Sequence, residues 1–148
     1  MNFLKSKYLK KSLPNLVDVN PQNQSYSDKR LGSIELVDGR HLVFYPTQKN
    51  QKIIIEGCSV LLDGKKPGDE LYKSIIKKRF EIEDGFLINE FFIQRHEQPN
   101  GDIIEVDIHR MQSANKGSRV WLHNKPAPNG QYQVGMFSYI NVINGTVQ

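Results

Sequence analysis

The stretch from Asn89 to Met111 constrains this chain most. Two strand-like runs, Asn89–Gln98 and Ile103–Met111, flank Asn100-Gly101. Asn-Gly between alternating runs is a strong hairpin signal, because a two-residue type I′ turn needs positive φ at both central positions and these residues tolerate it. With Asn100 and Gly101 as the turn, Pro99 faces Asp102, Gln98 faces Ile103, His96 faces Glu105, Gln94 faces Asp107 and Phe92 faces His109. Side chains alternate along a strand. One face is then expected to carry Phe91, Ile93, Ile104, Val106 and Ile108, and the other Phe92, Gln94, His96, Glu105, Asp107 and His109. An antiparallel sheet with one solvated side suits this split. A slip of one residue would exchange the faces, so the register is a sharp expectation.

Similar signals recur along the chain. Asp38-Gly39 separates Ile34–Val37 from His41–Tyr45. Lys52–Glu56 and Ser59–Leu62 read as strands, Asp63–Gly68 is rich in turn formers, and Asp84-Gly85 leads into the main hairpin. Arg119–Asn124, Gln131–Phe137 and Tyr139–Ile143 read as further strands, with Asn129-Gly130 and Asn144-Gly145 as hairpin turns. One segment reads as helix. In 69–80, Asp69 can cap it, and Leu71, Tyr72, Ile75, Ile76 and Phe80 recur at helical spacing, with Lys73, Lys77, Lys78 and Arg79 opposite. The chain has only two alanines, Ala114 and Ala127, and is rich in isoleucine, which favours strands over helices. The expected fold class is mainly β: an antiparallel sandwich or partly open barrel of short hairpins, with one covering helix at about 69–80 and an extended N-terminal arm. The expected domains are a basic arm and linker over 1–30, a β body over 31–124, and a C-terminal hairpin unit over 125–148.

Composition narrows the function classes. The chain is long enough, at 148 residues, for a sizeable core, and no 18-residue apolar run suggests a membrane span. The start lacks the apolar stretch of a secretory signal. Cys58 is the only cysteine, so no intramolecular disulfide can form and cysteine-based zinc sites are excluded. The net charge of +4 is uneven. Residues 1–30 carry six basic against two acidic side chains, and residues 65–79 again carry six against two. Such segments can steer a protein toward an anionic partner, although a solvated surface is the commoner reason for them.

Two constellations could carry chemistry. The polar hairpin face gathers His96, Glu105, Asp107 and His109, side chains able to bind zinc, iron or manganese or to act as an acid–base pair. The two histidines lie about four residues apart along the strands, roughly 13 Å, too far to share one ion, and His41 or His123 would have to complete a site. Cross-strand polar pairing on a solvated face explains the same residues without a ligand. The second constellation is the N-terminal arm, where Phe3, Leu4, Tyr8 and Leu9 alternate with Lys5, Lys7, Lys10 and Lys11 and Pro14 ends the pattern. These apolar anchors and charges suit docking on a neighbouring subunit, or a short helix on the arm's own domain. Cys58 has no catalytic motif around it, and phosphate loops, dinucleotide fingerprints and His-Glu-x-x-His are absent from the sequence.

The segment Trp121–Val147 contains Pro-Ala-Pro-Asn-Gly-x-Tyr-x-Val-Gly followed by Ile-x-Val-x-Asn-Gly-x-Val. It resembles a short β unit of structural proteins, capsid-decorating or head-fibre proteins, of Bacteroidetes-infecting tailed phages of the crAss-like group. The resemblance covers only the C-terminal end and brings no site residues with it. It implies a non-enzymatic structural protein bound to a larger assembly as an auxiliary or decorating component of a phage capsid. Other protein subunits would be its partners, with no cofactor, and a virion or the host cytoplasm its location. Two alternatives stand beside it: a small metal-dependent or acid–base enzyme using the polar face of hairpin 90–111, and a nucleic-acid-binding β module.

Overall fold

The computed structural model describes residues 29–148, so the N-terminal arm, with Phe3, Leu4, Lys5, Lys7, Tyr8, Leu9, Lys10 and Lys11, lies outside the described residues. The described chain is mainly β, with antiparallel sheets that do not close into a barrel. The chain forms two compact units, the first running to Glu90 and the second spanning Phe91–Gln148.

The first unit holds β1 (Gly32–Glu35), β2 (His41–Tyr45), β3 (Ser59–Leu62), β4 (Glu70–Lys73), β5 (Lys78–Glu83) and the start of β6 (Phe86–Glu97). β1, β2 and β3 pair in order, β3 meets β6 at Ser59 and Phe86, and β4 and β5 form a hairpin whose β5 also pairs with β6. Leu42, Phe44, Val60, Tyr72, Phe80, Ile82 and Leu87 fill its core, with the Phe44 and Phe80 rings 5.3 Å apart.

The expected helix over 69–80 is absent. Those residues form β4, a tight loop and the start of β5, with Tyr72 opposite Phe80 and Lys73 opposite Arg79. The helical spacing of Leu71, Tyr72, Ile75 and Ile76 competes with a strict alternation in Arg79–Glu83, where Phe80 and Ile82 face inward. A helix of about 12 residues is marginal by itself, whereas the strands bury Tyr72, Phe80 and Ile82 on a shared core. Asp69 does not cap a helix; its carboxylate accepts the Asp84 N–H at 2.6 Å and ties down the turn between β5 and β6. Lys78, one of the cations expected on the helix, pairs with Glu90 at 2.6 Å, and Lys66, just before the segment, pairs with Asp84 at 2.6 Å.

Lys52–Glu56 is also not a strand. Only Ile54 packs on the core, while Ile53 and Ile55 are exposed. The Ile55 N–H donates to the Cys58 sulfur instead of to a neighbouring strand.

The second unit continues β6 and adds β7 (Ile103–Ile108), β8 (Val120–Leu122), β9 (Lys125–Pro126), β10 (Gly130–Gln133), β11 (Tyr139–Ile143) and β12 (Thr146–Val147). β7, β8 and β9 follow β6 in one sheet; β10, β11 and β12 make another. Backbone bonds tie this end of the chain to β8 and the residues before it, with the Val120 N–H donating to Gly145 and the β12 Val147 N–H to Ser118. Ile104, Val106, Ile108, Val120, Ala127, Ile140, Val142 and Val147 form this core. Asn129-Gly130 is not a hairpin turn. Gly130 has φ 159, ordinary extended backbone, and opens β10, while the Asn129 side chain accepts the Asn144 N–H at 2.8 Å.

The main hairpin exists, with a register one residue from the expected one. Phe92 pairs with Ile108, Gln94 with Val106, Arg95 with Glu105 and His96 with Ile104. Proline supplies the reason. In a two-residue loop Pro99 and Asp102 would be the closing pair, and proline has no N–H to give. Closure moves out to Gln98, whose N–H donates to Asp102 O at 2.6 Å. The loop becomes Pro99-Asn100-Gly101, with Gly101 donating to Gln98 O and held at φ 91. This is the three-residue loop of a type I turn followed by a left-handed residue, and proline favours the first central position of such a turn. The expected pairing of faces therefore fails. Phe91 and Ile93 share a face with Glu105 and Asp107, and Phe92 and His96 share the core face with Ile104, Val106 and Ile108.

Candidate functional site

The shifted register separates His96 from Glu105 and Asp107, with which it was expected to share a polar face. His96 stands half-buried opposite Ile104, on the side of the hydrophobic core. Its imidazole contacts the Gln94 side chain at 3.3 Å, and burial lowers its pKa below the ordinary histidine value. Glu105 and Asp107 lie on the other face. Glu105 stands opposite Arg95, whose Nε lies 4.0 Å from its carboxylate. Asp107 is 2% exposed and accepts the Trp121 indole N–H at 2.9 Å. His109 is exposed, with its ring 5.0 Å from that of Phe91, and the Arg119 guanidinium lies 5.5 Å from the same phenyl ring.

These contacts fix the sheet. They do not converge on a ligand position, and no group of three His, Cys, Asp or Glu among the described residues could hold a metal ion. The remaining histidines serve elsewhere: His41 lies 3.7 Å from Glu35, and His123 lies 3.5 Å from Asp102. Cys58 is fully buried; its sulfur accepts from Gln51 Nε2 and from the Ile55 N–H, and burial pushes its thiol pKa up. A thiol held neutral in this way is a packing element, not a nucleophile.

Several large apolar side chains are exposed on hairpin tips. In the second unit, β10 and β11 are joined through Val134–Ser138, with the Val134 N–H donating to Ser138 O at 2.8 Å. The tip presents Met136 at 79% exposure and Phe137 at 88%, with Tyr139 exposed beside them. In the first unit two tips lie side by side. The Val37 N–H donates to Lys73 O and the Ile75 N–H to Glu35 O, each at 3.0 Å, and Leu36 bridges Ser74. Val37, Ile75 and Ile76 are all more than half exposed there.

The sequence contained signals for both tips. Met136-Phe137 is an apolar pair bracketed by Gly135 and Ser138, residues that favour loops. Ile75-Ile76 is followed by two lysines, but its helical spacing with Leu71 and Tyr72 masks its exposure. Burying a large apolar side chain that is otherwise exposed is worth about 1.5–3 kcal/mol. A solvated Met-Phe pair is therefore a reserve of binding energy that the described chain leaves unused. Among the described residues no helix is long and apolar enough to cross a membrane. Compared with family models, curated proteins and solved structures, the chain matches none of them.

Proposed function

We propose that the chain is a non-enzymatic structural protein that binds a larger protein assembly, as an auxiliary or decorating component of a phage capsid. The observation that carries the reading is the β10–β11 tip, where Met136 and Phe137 stand almost fully exposed. Apolar anchors presented on a β frame are what a docking protein needs, since methionine and aromatic side chains are enriched at interface centres. The same tip falls within the segment that resembles the phage β unit. The separation of His96 from Glu105 and Asp107 favours binding over catalysis. Pairing with other subunits through the arm residues Phe3, Leu4, Lys5, Lys7, Tyr8, Leu9, Lys10 and Lys11 belongs to the same proposal.

Sedimentation of the protein in its native setting tests the reading. The chain should travel with capsid-sized particles in a fixed ratio to the shell subunit. The double substitution Met136→Ser/Phe137→Ser should release it into the slow fractions. A wild-type chain that sediments only as a free small protein, while shells are present, overturns the proposal.

A further inference from the structure

The first unit has an open cleft of about 690 Å³ lined by Lys29, Arg30, Leu31, Pro46 and residues 48–52. Four of the described lining residues are cations: Lys29, Arg30, Lys49 and Lys52. The described lining has no carboxylate, and its other polar side chains are the neutral amides of Gln48, Asn50 and Gln51. The sequence does not display this cluster, because residues 31–64 carry three basic against four acidic side chains overall. Folding brings Lys49 and Lys52 to Lys29 and Arg30.

Both walls are anchored to the sheet. On one side the Leu31 N–H donates to Phe44 O at 2.7 Å, which continues the pairing of β1 with β2. On the other side a compact loop carries Lys49 and Lys52. Within it the Thr47 N–H donates to Gln51 Oε1 at 3.0 Å and the Gln51 N–H to Gln48 O at 3.3 Å, and Asn50 takes φ 66. Gln51 Nε2 reaches Ile53 O and the Cys58 sulfur, and the buried Thr47 hydroxyl donates to Gly57 O. The cations are thus carried on a frame fixed before any ligand arrives, which lowers the entropic cost of binding.

We infer that this cleft binds the phosphate backbone of nucleic acid, without regard to base sequence. Its chemistry selects this ligand class. An acidic protein partner would need an apolar centre to bury, and among the described lining residues only Leu31 and Pro46 are apolar. Nucleic-acid interfaces are more polar and far more positive, as this lining is. Among the described lining residues none is aromatic, so phosphate contacts rather than base stacking carry the affinity. The inference is independent of the docking role given to Met136 and Phe137, which lie in the other unit.

The test uses the full chain and fluorescence anisotropy with a labelled oligothymidylate of about 20 nucleotides. Binding at low salt should weaken as salt rises, because each neutralised phosphate adds about 0.7 to the magnitude of the log–log slope for single strands. Lys49→Ala/Lys52→Ala should lower affinity at least fivefold and reduce that slope by about 1.4, the effect of two phosphates. Lys65→Ala/Lys125→Ala removes the same charge from exposed sites outside the cleft and should change affinity less than twofold. Polyglutamate at equal charge should compete poorly. Should the cleft variant fail to fold, reductive methylation of the wild type answers the same question, with bound oligonucleotide expected to protect Lys49 and Lys52. No binding by the wild type, equal losses from the two double variants, displacement by polyglutamate as effective as by unlabelled oligonucleotide, or lysines in the cleft that stay unprotected would each overturn the inference.

Discussion

Asp107 and His96 show how one side chain acquires its role from its neighbours. Asp107 is a carboxylate at 2% exposure, and the indole N–H of Trp121 satisfies one of its oxygens. Trp121→Phe keeps most of the ring and removes that donor from a buried charged acceptor. A loss of about 1–3 kcal/mol in unfolding free energy is expected, measured as a lower urea midpoint; an unchanged midpoint would show the bond to be dispensable. His96 makes a prediction in pH. Its folded pKa is lowered because burial penalises the imidazolium, so below the ordinary value of 6.5 the unfolded chain binds the proton more readily. Its contribution is therefore fully retained above about pH 6.5 and is lost as pH falls toward the folded value. Thermal melting across this range should show a decline on the acid side that His96→Gln reduces. If the substitution leaves the acid-side slope intact, another group is responsible.

At the level of elements, turn chemistry decides the register. Among the described residues three hairpins close through three-residue loops, with Leu36 bonded to Arg40, Ser74 to Lys78 and Gln98 to Asp102. Their left-handed residues are Gly39, Lys77 and Gly101. Asp63-Gly64, Asp84-Gly85, His123-Asn124 and Asn144-Gly145 have positive φ at both positions, as two-residue type I′ turns require. Asn100-Gly101 and Asn144-Gly145 look alike in sequence and fold differently. Pro99 explains the first. Asp38-Gly39 takes the longer loop because the Val37 N–H is given to Lys73 O and so cannot close a two-residue turn. Glycine substitutions separate conformation from packing. A Cβ at Gly101 would meet nothing within 4 Å, so Gly101→Ala should cost only the left-handed penalty, about 1–2 kcal/mol. At Gly145, φ 76 is joined by a Cβ position 2.9 Å from the Pro126 Cβ, so Gly145→Ala should destabilise more. Urea unfolding of the two variants ranks them, and equal losses would contradict the account.

Taken as a whole molecule, the chain builds two cores and spends few of its apolar tips on either. Phe44, Phe80 and Ile82 are fully buried in one unit and Ile104, Val106 and Val142 in the other. Met136 and Phe137 contribute little to folding because solvent surrounds them. Met136→Ser/Phe137→Ser should therefore leave unfolding free energy within about 0.5 kcal/mol of wild type, as surface substitutions do, while removing the attachment proposed above. A large drop in the melting temperature would mean that the tip packs within its own chain and is not held out for a partner.

The sequence alone determined the class of structure. Alternating runs between turn residues, scarce alanine and abundant isoleucine leave an antiparallel β chain as the only economical way to pair the backbone. Several positions followed directly, among them β2, β3, β7, β11 and the turn at Asn144-Gly145, since each combines a local pattern with a local turn. Non-local pairing decided the rest. Residues 69–80 have both helical and alternating spacing, and partners in β6 and the first core selected strands. The faces of the main hairpin depend on one missing N–H at Pro99, which shifts every cross-strand partner by a residue. That shift separated His96 from Glu105 and Asp107. The cluster of Lys29, Arg30, Lys49 and Lys52 exists only in three dimensions, because charge summed along a chain cannot report which loops meet.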